Sequence, residues 1–245
     1  MFFPIKDDTP TIRTPYVTMT LIAINVLVFL YSIVQGAQGF RVITVQFGFI
    51  PYELIHLTEL TPEYSAPVVF TMFSSMFMHG GWMHLIGNML FLWIYGNNVE
   101  DYFGPVKFLL FYLVAGLSAI FLFTAGEALL GGDPVPLVGA SGAIAGVMGA
   151  YMVLHPKARI TVLIIFFFIQ FVVLPAKFVL GFWFVYQLFL SLLDLSAPGG
   201  GGVAYLAHVG GFVFGYGLLR MLIKWKGPGA VAGDSGHRAY RVHWD

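Results

Sequence analysis

The sequence predicts an all-α integral membrane protein, built as a bundle of six transmembrane helices. Of its 245 residues, 58% are hydrophobic and 10% are charged, whereas about 25% of the residues of soluble domains are charged. The apolar residues form runs of about 18 or more, which is the length that a helix needs to cross a bilayer. All but one of the basic residues of the chain fall on one side of such a bundle, which fixes its orientation.

The composition also excludes several classes of function. The net charge is zero, which argues against a nucleic-acid partner. The chain has no cysteine, which excludes disulfides and thiolate chemistry. The first 16 residues lack the apolar core and the small-residue cleavage site of a signal peptide, so we expect the first span to be retained. The lipid bilayer is therefore the expected environment.

We expect residues 1–16 to form a cytoplasmic leader, residues 17–223 the membrane domain and residues 224–245 a flexible cytoplasmic tail. The polar, glycine-rich composition of the last segment is typical of disorder. Between the first two spans lies a long loop, residues 36–78, whose aromatic and methionine content predicts packing on the membrane face, with a short amphipathic helix at 51–60. The predicted spans are residues 17–34, 80–95, 106–130, 141–154, 178–195 and 203–223.

The apolar segment 160–174 decides between six spans and seven. It has about 15 residues where about 20 are needed, and Pro175 ends it. With six spans, Arg41 alone lies on the outer side, as the positive-inside rule requires. We therefore predict six spans with both termini cytoplasmic, and segment 160–174 along or dipping into the cytoplasmic interface. The basic residues on the cytoplasmic side are then Lys6, Arg13, Lys107, Lys157, Arg159, Lys177, Arg220, Lys224, Lys226, Arg238 and Arg241.

Ionisable groups inside membrane spans are costly and mark functional sites. His79 and His84 lie near the start of the second predicted span, and His208 lies near the start of the sixth. The fourth span begins at Ser141 and is only about 20 Å long, so the serine starts below the surface of a hydrocarbon core about 30 Å thick. All three spans start from the outer side, so their polar groups share one layer.

Helical spacing indicates which of these residues share a helix face. His84 and Asn88 are four residues apart and share a helix face, whereas His79 and His84 are five apart and do not. Small residues in the fourth and sixth spans allow the two helices to approach closely. Such packing would bring Ser141 within hydrogen-bonding reach of His208, which activation of a nucleophile by a general base requires. The small-residue faces are Gly142, Ala145, Gly146 and Gly149 on one helix, and Ala204, Gly211 and Gly215 on the other.

Each of these features also has a purely structural interpretation. A glycine-rich helix is usually a packing helix, and Asn88 alone is most simply an interhelical hydrogen-bonding residue. The histidines could also indicate a metal site, but the chain has no cysteine and no acid at that depth, so the usual zinc ligands are missing. We therefore predict no metal. Together, at one depth, the polar residues favour a functional site.

With these residues in place, the chain closely resembles the rhomboid intramembrane serine proteases. The matching segments are HGGWMHLIGN (79–88), GNNVEDYFG (96–104), GASG (139–142) and AHVGG (207–211) followed by Gly215. The resemblance implies that Ser141 is the nucleophile and His208 the general base, with His84 and Asn88 in the oxyanion hole. It implies hydrolysis of peptide bonds in or near the transmembrane helices of membrane-protein substrates, without a cofactor.

Two positions depart from the family pattern. Phe70 and Thr71 stand where better-studied members carry a Trp-Arg pair in the first loop, and Ala145 stands where some carry a tyrosine that packs on the catalytic histidine. Tyr205, about one turn before His208, is a candidate substitute. No acid lies close enough in sequence to be a third catalytic member, and the aromatic residues 182–184 make the fifth span a candidate lateral gate.

Two other functions are compatible with parts of the pattern. A non-enzymatic rhomboid-like protein that binds membrane helices for quality control would need the cavity but neither Ser141 nor His208. A small-molecule transporter predicts inverted repeats between the halves of the chain, and none is found. The lack of a transit peptide favours a multi-pass protein of a prokaryotic cytoplasmic (inner) membrane.

Overall fold

A computed structural model describes residues 2–60, 66–130, 134–196 and 204–226. The chain also has a 3₁₀ turn at Ser75–Phe77 and a π-helical turn at Leu92–Gly96. Residues 227–245, most of the predicted tail, lie outside the described residues. Within the described ranges the elements are β1 (Phe2–Asp7), α1 (Tyr16–Val34), α2 (Gly36–Phe47), α3 (Pro51–His56), α4 (Val68–Ser74), α5 (Trp82–Phe91), α6 (Asn97–Phe103), α7 (Pro105–Leu130), α8 (Ser141–Leu154), β2 (Arg159–Ile165), β3 (Ile169–Pro175), α9 (Ala176–Ser196) and α10 (Tyr205–Lys226).

Four described helices are long and apolar enough to cross a bilayer: α1, α7, α9 and α10. They match four of the predicted spans to within a few residues at each end. The predicted fourth span is α8, with the same bounds but only 14 residues. The predicted second span is divided between α5 and the π-helical turn. The six-span arrangement therefore stays a prediction.

A three-stranded antiparallel sheet, in the order β1-β2-β3, corrects the prediction of an all-α chain. The segment predicted to lie at the interface is a β-hairpin, and the predicted leader contributes β1. β-branched and aromatic residues dominate the hairpin, and they favour strands. Phe2 pairs with Ile164, and its ring packs on Phe182 of α9 at 5.8 Å.

The two ends of the hairpin lie next to each other. The N–H of Ala176 donates to the carbonyl of Ala158 at 2.8 Å, and that of Lys177 to Pro156 at 3.1 Å. The end of α8 and the start of α9 therefore lie side by side. Segment 160–174 does not form a seventh spanning helix.

The first loop is largely helical. It contains α2, which buries none of its residues, as well as α3 and α4. The predicted short helix at 51–60 is present as α3, which starts with a proline, whereas α2 was not predicted. Phe49 and Leu137 exchange two backbone hydrogen bonds of 3.0 and 2.7 Å. The loop is thus fastened to the segment that leads into α8.

The acidic pair of the GNNVEDYFG segment has a structural role. Glu100 accepts hydrogen bonds from the backbone N–H groups of Val17 at 2.9 Å and Thr18 at 2.7 Å. Asp101 accepts from the N–H groups of Ile12 and Arg13. Carboxylates at a helix N-terminus satisfy its free N–H groups and favour its dipole. α6 therefore caps α1 and holds it in place.

The short helix α8 is the centre of the bundle. Eleven of its 14 residues are buried, and it packs against α7 and α10. A Cβ atom at Gly211 would overlap the carbonyl of Gly142, and one at Gly215 would overlap that of Gly146. The predicted small-residue contact between these helices is confirmed, and it brings their backbones into direct contact.

Candidate active site

Ser141 lies at the first position of α8, beside a tight backbone turn. Gly139 has φ +132°, which L side chains rarely adopt, and its N–H donates to the carbonyl of Ser75 at 2.9 Å. The first N–H groups of a helix have no acceptor within the helix. The hydroxyl and the N–H of Ser141 are therefore presented together at a helix end that lines a cavity.

His208 lies in the first turn of α10 and reaches the serine. Its Nε2 is 2.8 Å from Oγ of Ser141. This distance depends on the glycine contact between α8 and α10, because a methyl group at Gly211 would push the two helices apart. The structure thus brings together the two residues that the sequence proposed as nucleophile and base.

Two side chains of α9 hold the other edge and one face of the imidazole. Oε1 of Gln187 lies 2.8 Å from Nδ1 of His208. The indole of Trp183 lies 5.8 Å from the imidazole, centroid to centroid, with 34° between the planes. The sequence left open what orients His208, with Tyr205 as a candidate, and these two side chains of α9 are the contacts that the structure gives. The signal for Gln187 was available, since it is an amide in the middle of an apolar span.

The predicted oxyanion residues lie on α5, on another wall of the cavity. A Cβ atom added at Gly139 would lie 2.8 Å from Cε1 and Nε2 of His84 and 3.6 Å from Oγ of Ser141. The ring of His84 therefore lies against the turn that carries the serine. Asn88 is buried one helical turn further along α5 and lines the same cavity.

His79 contacts both of these residues, contrary to the expectation from helical spacing. Its Nε2 lies 2.9 Å from Nδ2 of Asn88, and its ring is 5.1 Å from that of His84. The spacing argument failed because α5 begins only at Trp82, so His79 lies in the turn before the helix. His79 is 2% exposed, so a buried imidazole holds the amide of Asn88.

The cavity has a volume of about 900 Å³. Ligand pockets typically have volumes of about 300–1,000 Å³ with few polar groups in an apolar lining. Here both α5 and α9 contribute walls. The lining includes His84, Asn88, Ser141, Trp183 and His208.

Comparison with known proteins places the chain in a family. The family model of the Rhomboid domain matches residues 66–225, from the residues before α4 to the end of α10. The protein belongs to the rhomboid family. The match covers every residue of the site described above.

Three relatives illustrate the range of similar rhomboid proteins. The chain is 34% identical to the rhomboid protease GluP of Bacillus subtilis over 141 residues, 56% of this chain and 24% of the relative. It is 32% identical over 151 residues to the mitochondrial Rhomboid protein 1 of Saccharomyces cerevisiae, 58% of this chain and 38% of the relative. It is 32% identical over 92 residues to the human mitochondrial presenilin-associated rhomboid-like protein, 38% of this chain and 24% of the relative.

The matches therefore span well under half the length of these relatives. Two of the three relatives carry mitochondrial names, so the expectation of a prokaryotic inner membrane has no support in the comparisons.

The two departures from the rhomboid pattern have structural counterparts. Ala145 is fully buried inside the bundle, and Trp183 of α9 provides the aromatic ring beside His208. Phe70 packs its ring on Phe47 at 6.2 Å, so an aromatic contact joins α4 to α2 in the first loop. The aromatic contact to His208 thus comes from α9, whereas in the family pattern the aromatic residue stands at the position of Ala145 in α8.

Proposed function

We propose that this protein is an intramembrane serine endopeptidase that hydrolyses peptide bonds in or near the transmembrane helices of membrane-protein substrates. The observation that carries the proposal is the 2.8 Å contact between Ser141 Oγ and His208 Nε2 at a cavity within the helix bundle. A nucleophile and a base at hydrogen-bonding distance, with the base held by a third group, form the arrangement of covalent hydrolases.

The reaction uses the two residues in two stages. His208 Nε2 takes the proton of Ser141 while Oγ attacks the scissile carbonyl carbon, and the resulting imidazolium then protonates the leaving amine. An ester of Ser141 remains. Water attacks this ester with His208 again as base, which releases the new carboxylate and restores the serine.

The negative charge that develops on the carbonyl oxygen requires donors. The N–H of Ser141, the imidazole of His84 and the amide of Asn88 are the proposed donors. One N–H of the Asn88 amide faces His79, which leaves the other for the oxyanion. A single donor of this kind contributes about 3–4 kcal/mol to transition-state stabilisation in other proteases.

The substrate proposed is a membrane helix that unwinds locally, because a peptide bond inside a helix is shielded by its backbone hydrogen bonds. Helix-breaking or small residues near the cleaved bond are therefore expected. The aromatic residues of α9 are the proposed lateral gate, since Trp183 lines the cavity while Phe182 is exposed on the outer face. We also propose that both termini lie on the cytoplasmic side, from the distribution of basic residues.

Labelling with a fluorophosphonate tests this function. The purified protein should be labelled at Ser141, and Ser141→Ala and His208→Ala should each lower labelling and cleavage of a model transmembrane substrate by at least about a thousandfold. Ser32→Ala is a matched control, because this buried serine of α1 donates to the carbonyl of Val28 in its own helix at 2.8 Å. Near-normal turnover in Ser141→Ala, or substrate binding without cleavage by the wild type, would contradict an enzyme and favour a helix-binding protein.

A further inference from the structure

Gln187 is a polar side chain in the middle of a spanning helix, and it is 7% exposed. Burying an amide away from water is costly unless it is hydrogen-bonded. Its Oε1 lies 2.8 Å from Nδ1 of His208, on the ring edge opposite to Ser141. The amide is therefore buried for a contact with the catalytic base.

We propose that Gln187 is a positioning residue that sets the tautomer of His208, a role that rests on the proposed function. An amide oxygen can only accept a hydrogen bond, so Nδ1 of the imidazole carries the proton. The lone pair of Nε2 then faces the hydroxyl of Ser141 and accepts its proton. The opposite tautomer would present an N–H to the serine and could not act as a base.

Side chains of α9 set the position of the His208 imidazole as well as its tautomer. Trp183 precedes Gln187 by four residues, so both side chains lie on one face of α9. The indole lies against the face of the imidazole and the amide binds its edge. Rotation of the imidazole about its own axis would break the hydrogen bond to Gln187, and displacement of the ring would break the contact with Trp183.

A neutral amide differs from the carboxylate of a catalytic triad in one measurable respect. It fixes the ring, but it adds no negative charge that would favour the imidazolium. Burial of a carboxylate at this depth would be costly, whereas an amide is tolerated within membrane bundles. Gln187 thus orients the imidazole as a triad carboxylate does, but without a negative charge.

Three variants separate these contributions, measured by the rate of fluorophosphonate labelling of Ser141 between pH 5 and 9. Gln187→Leu keeps the approximate volume without an acceptor, and the rate should fall by about 10- to 100-fold across the range. When it is ionised, the Gln187→Glu side chain can only accept, so at the alkaline end of the range it should keep most of the rate, with the acid limb of the profile moved to higher pH because a carboxylate favours the protonated ring. Ser191→Ala is the matched control, since this buried serine one turn further on α9 bonds the Gln187 and Leu188 carbonyls.

The outcomes separate the two proposals. A wild-type rate and profile in Gln187→Leu would overturn the positioning role and leave the serine protease intact. A loss in Gln187→Glu as large as in Gln187→Leu would also overturn it, because an amide that donates to Nδ1 would be the productive arrangement. Absence of labelling at Ser141 in the folded wild type would overturn the proposed function itself. Equal thermal midpoints of Gln187→Leu and Ser191→Ala exclude misfolding as the cause of a loss.

Discussion

Two hydrogen-bonded pairs on different walls of the cavity support the polar groups of the site. Gln187 holds His208 from α9, and His79 holds Asn88 from the turn before α5. Each pair joins a proposed reacting group to a buried partner that lies behind it. Neither Gln187 nor His79 is among the residues that line the cavity. Each must therefore act through the residue that it holds.

This arrangement predicts how the losses of kcat combine when the proposed oxyanion residues and His79 are substituted. His84→Ala and Asn88→Ala should each lower kcat by roughly 10²-fold with little change in KM, because their contacts strengthen as the oxyanion forms. His79→Ala should lower kcat by less, about tenfold, and should add nothing to Asn88→Ala in the double variant, since it acts through Asn88. Steady-state kinetics on a model transmembrane substrate would measure all three.

His56→Ala, in α3 of the first loop, is the control for loss of a histidine elsewhere. A double variant with the product of the two single losses would show that His79 acts independently of Asn88. A mainly raised KM in Asn88→Ala would remove it from the oxyanion hole.

Residue type and depth were enough to predict some of these groups and not others. Ser141, His208 and His84 are polar residues at helix starts, so the sequence places them in one layer. Gln187 carries no charge, and a lone amide in a span reads equally well as a packing residue. His79 was misplaced because the start of α5 sets its position, and a helical wheel does not apply before the helix begins.

The approach of α10 to α8 determines whether His208 reaches the serine. Two pairs of glycines make the contact, Gly211 with Gly142 and Gly215 with Gly146, and the methyl group of an alanine at Gly215 would overlap the carbonyl of Gly146. Gly217, half a turn further along α10, has nothing within 4 Å of the position where its Cβ would be. The two glycines therefore provide a matched pair in one helix.

Gly215→Ala should destabilise the protein by about 1–3 kcal/mol, as overpacking does in other cores, and should lower the labelling rate of Ser141 by more than tenfold. Gly217→Ala should leave both unchanged or raise stability slightly, because alanine is the better helix former. Thermal unfolding in detergent and fluorophosphonate labelling are the two measurements. Equal behaviour of the two variants would mean that the close contact does not position His208.

The predicted elements succeed where the signal is local and fail where it is not. The apolar runs and their Gly and Pro boundaries gave α7, α8 and α9 to within a few residues. The hairpin of β2 and β3 is as apolar as a span, and only its shortness and basic flanks argued against a crossing. Its third strand comes from Phe2–Asp7, more than 150 residues away, so no local pattern could have shown the pairing.

For the whole molecule, the hairpin fixes which ends of the helices lie together. Arg159 pairs with Pro175 at its base, and Ala176 bonds back to Ala158. α8 and α9 are therefore antiparallel neighbours joined at one side of the bundle. A full crossing by segment 160–174 would instead have moved His208 to the opposite side from Ser141, a separation that no helix tilt of about 20–40° recovers.

Cysteine labelling in cells tests this topology, because the wild-type chain has no cysteine. Lys157 and Lys177 are exposed at the two ends of the hairpin, and Arg41 is exposed on α2. With a membrane-impermeant maleimide, Lys157→Cys and Lys177→Cys should react only after the membrane is permeabilised. Arg41→Cys should react in intact cells, since the first loop and the hairpin lie on opposite sides of the bundle. Reaction of the two hairpin positions from different sides would overturn the six-span topology, and with it the placement of Ser141 and His208 in one layer.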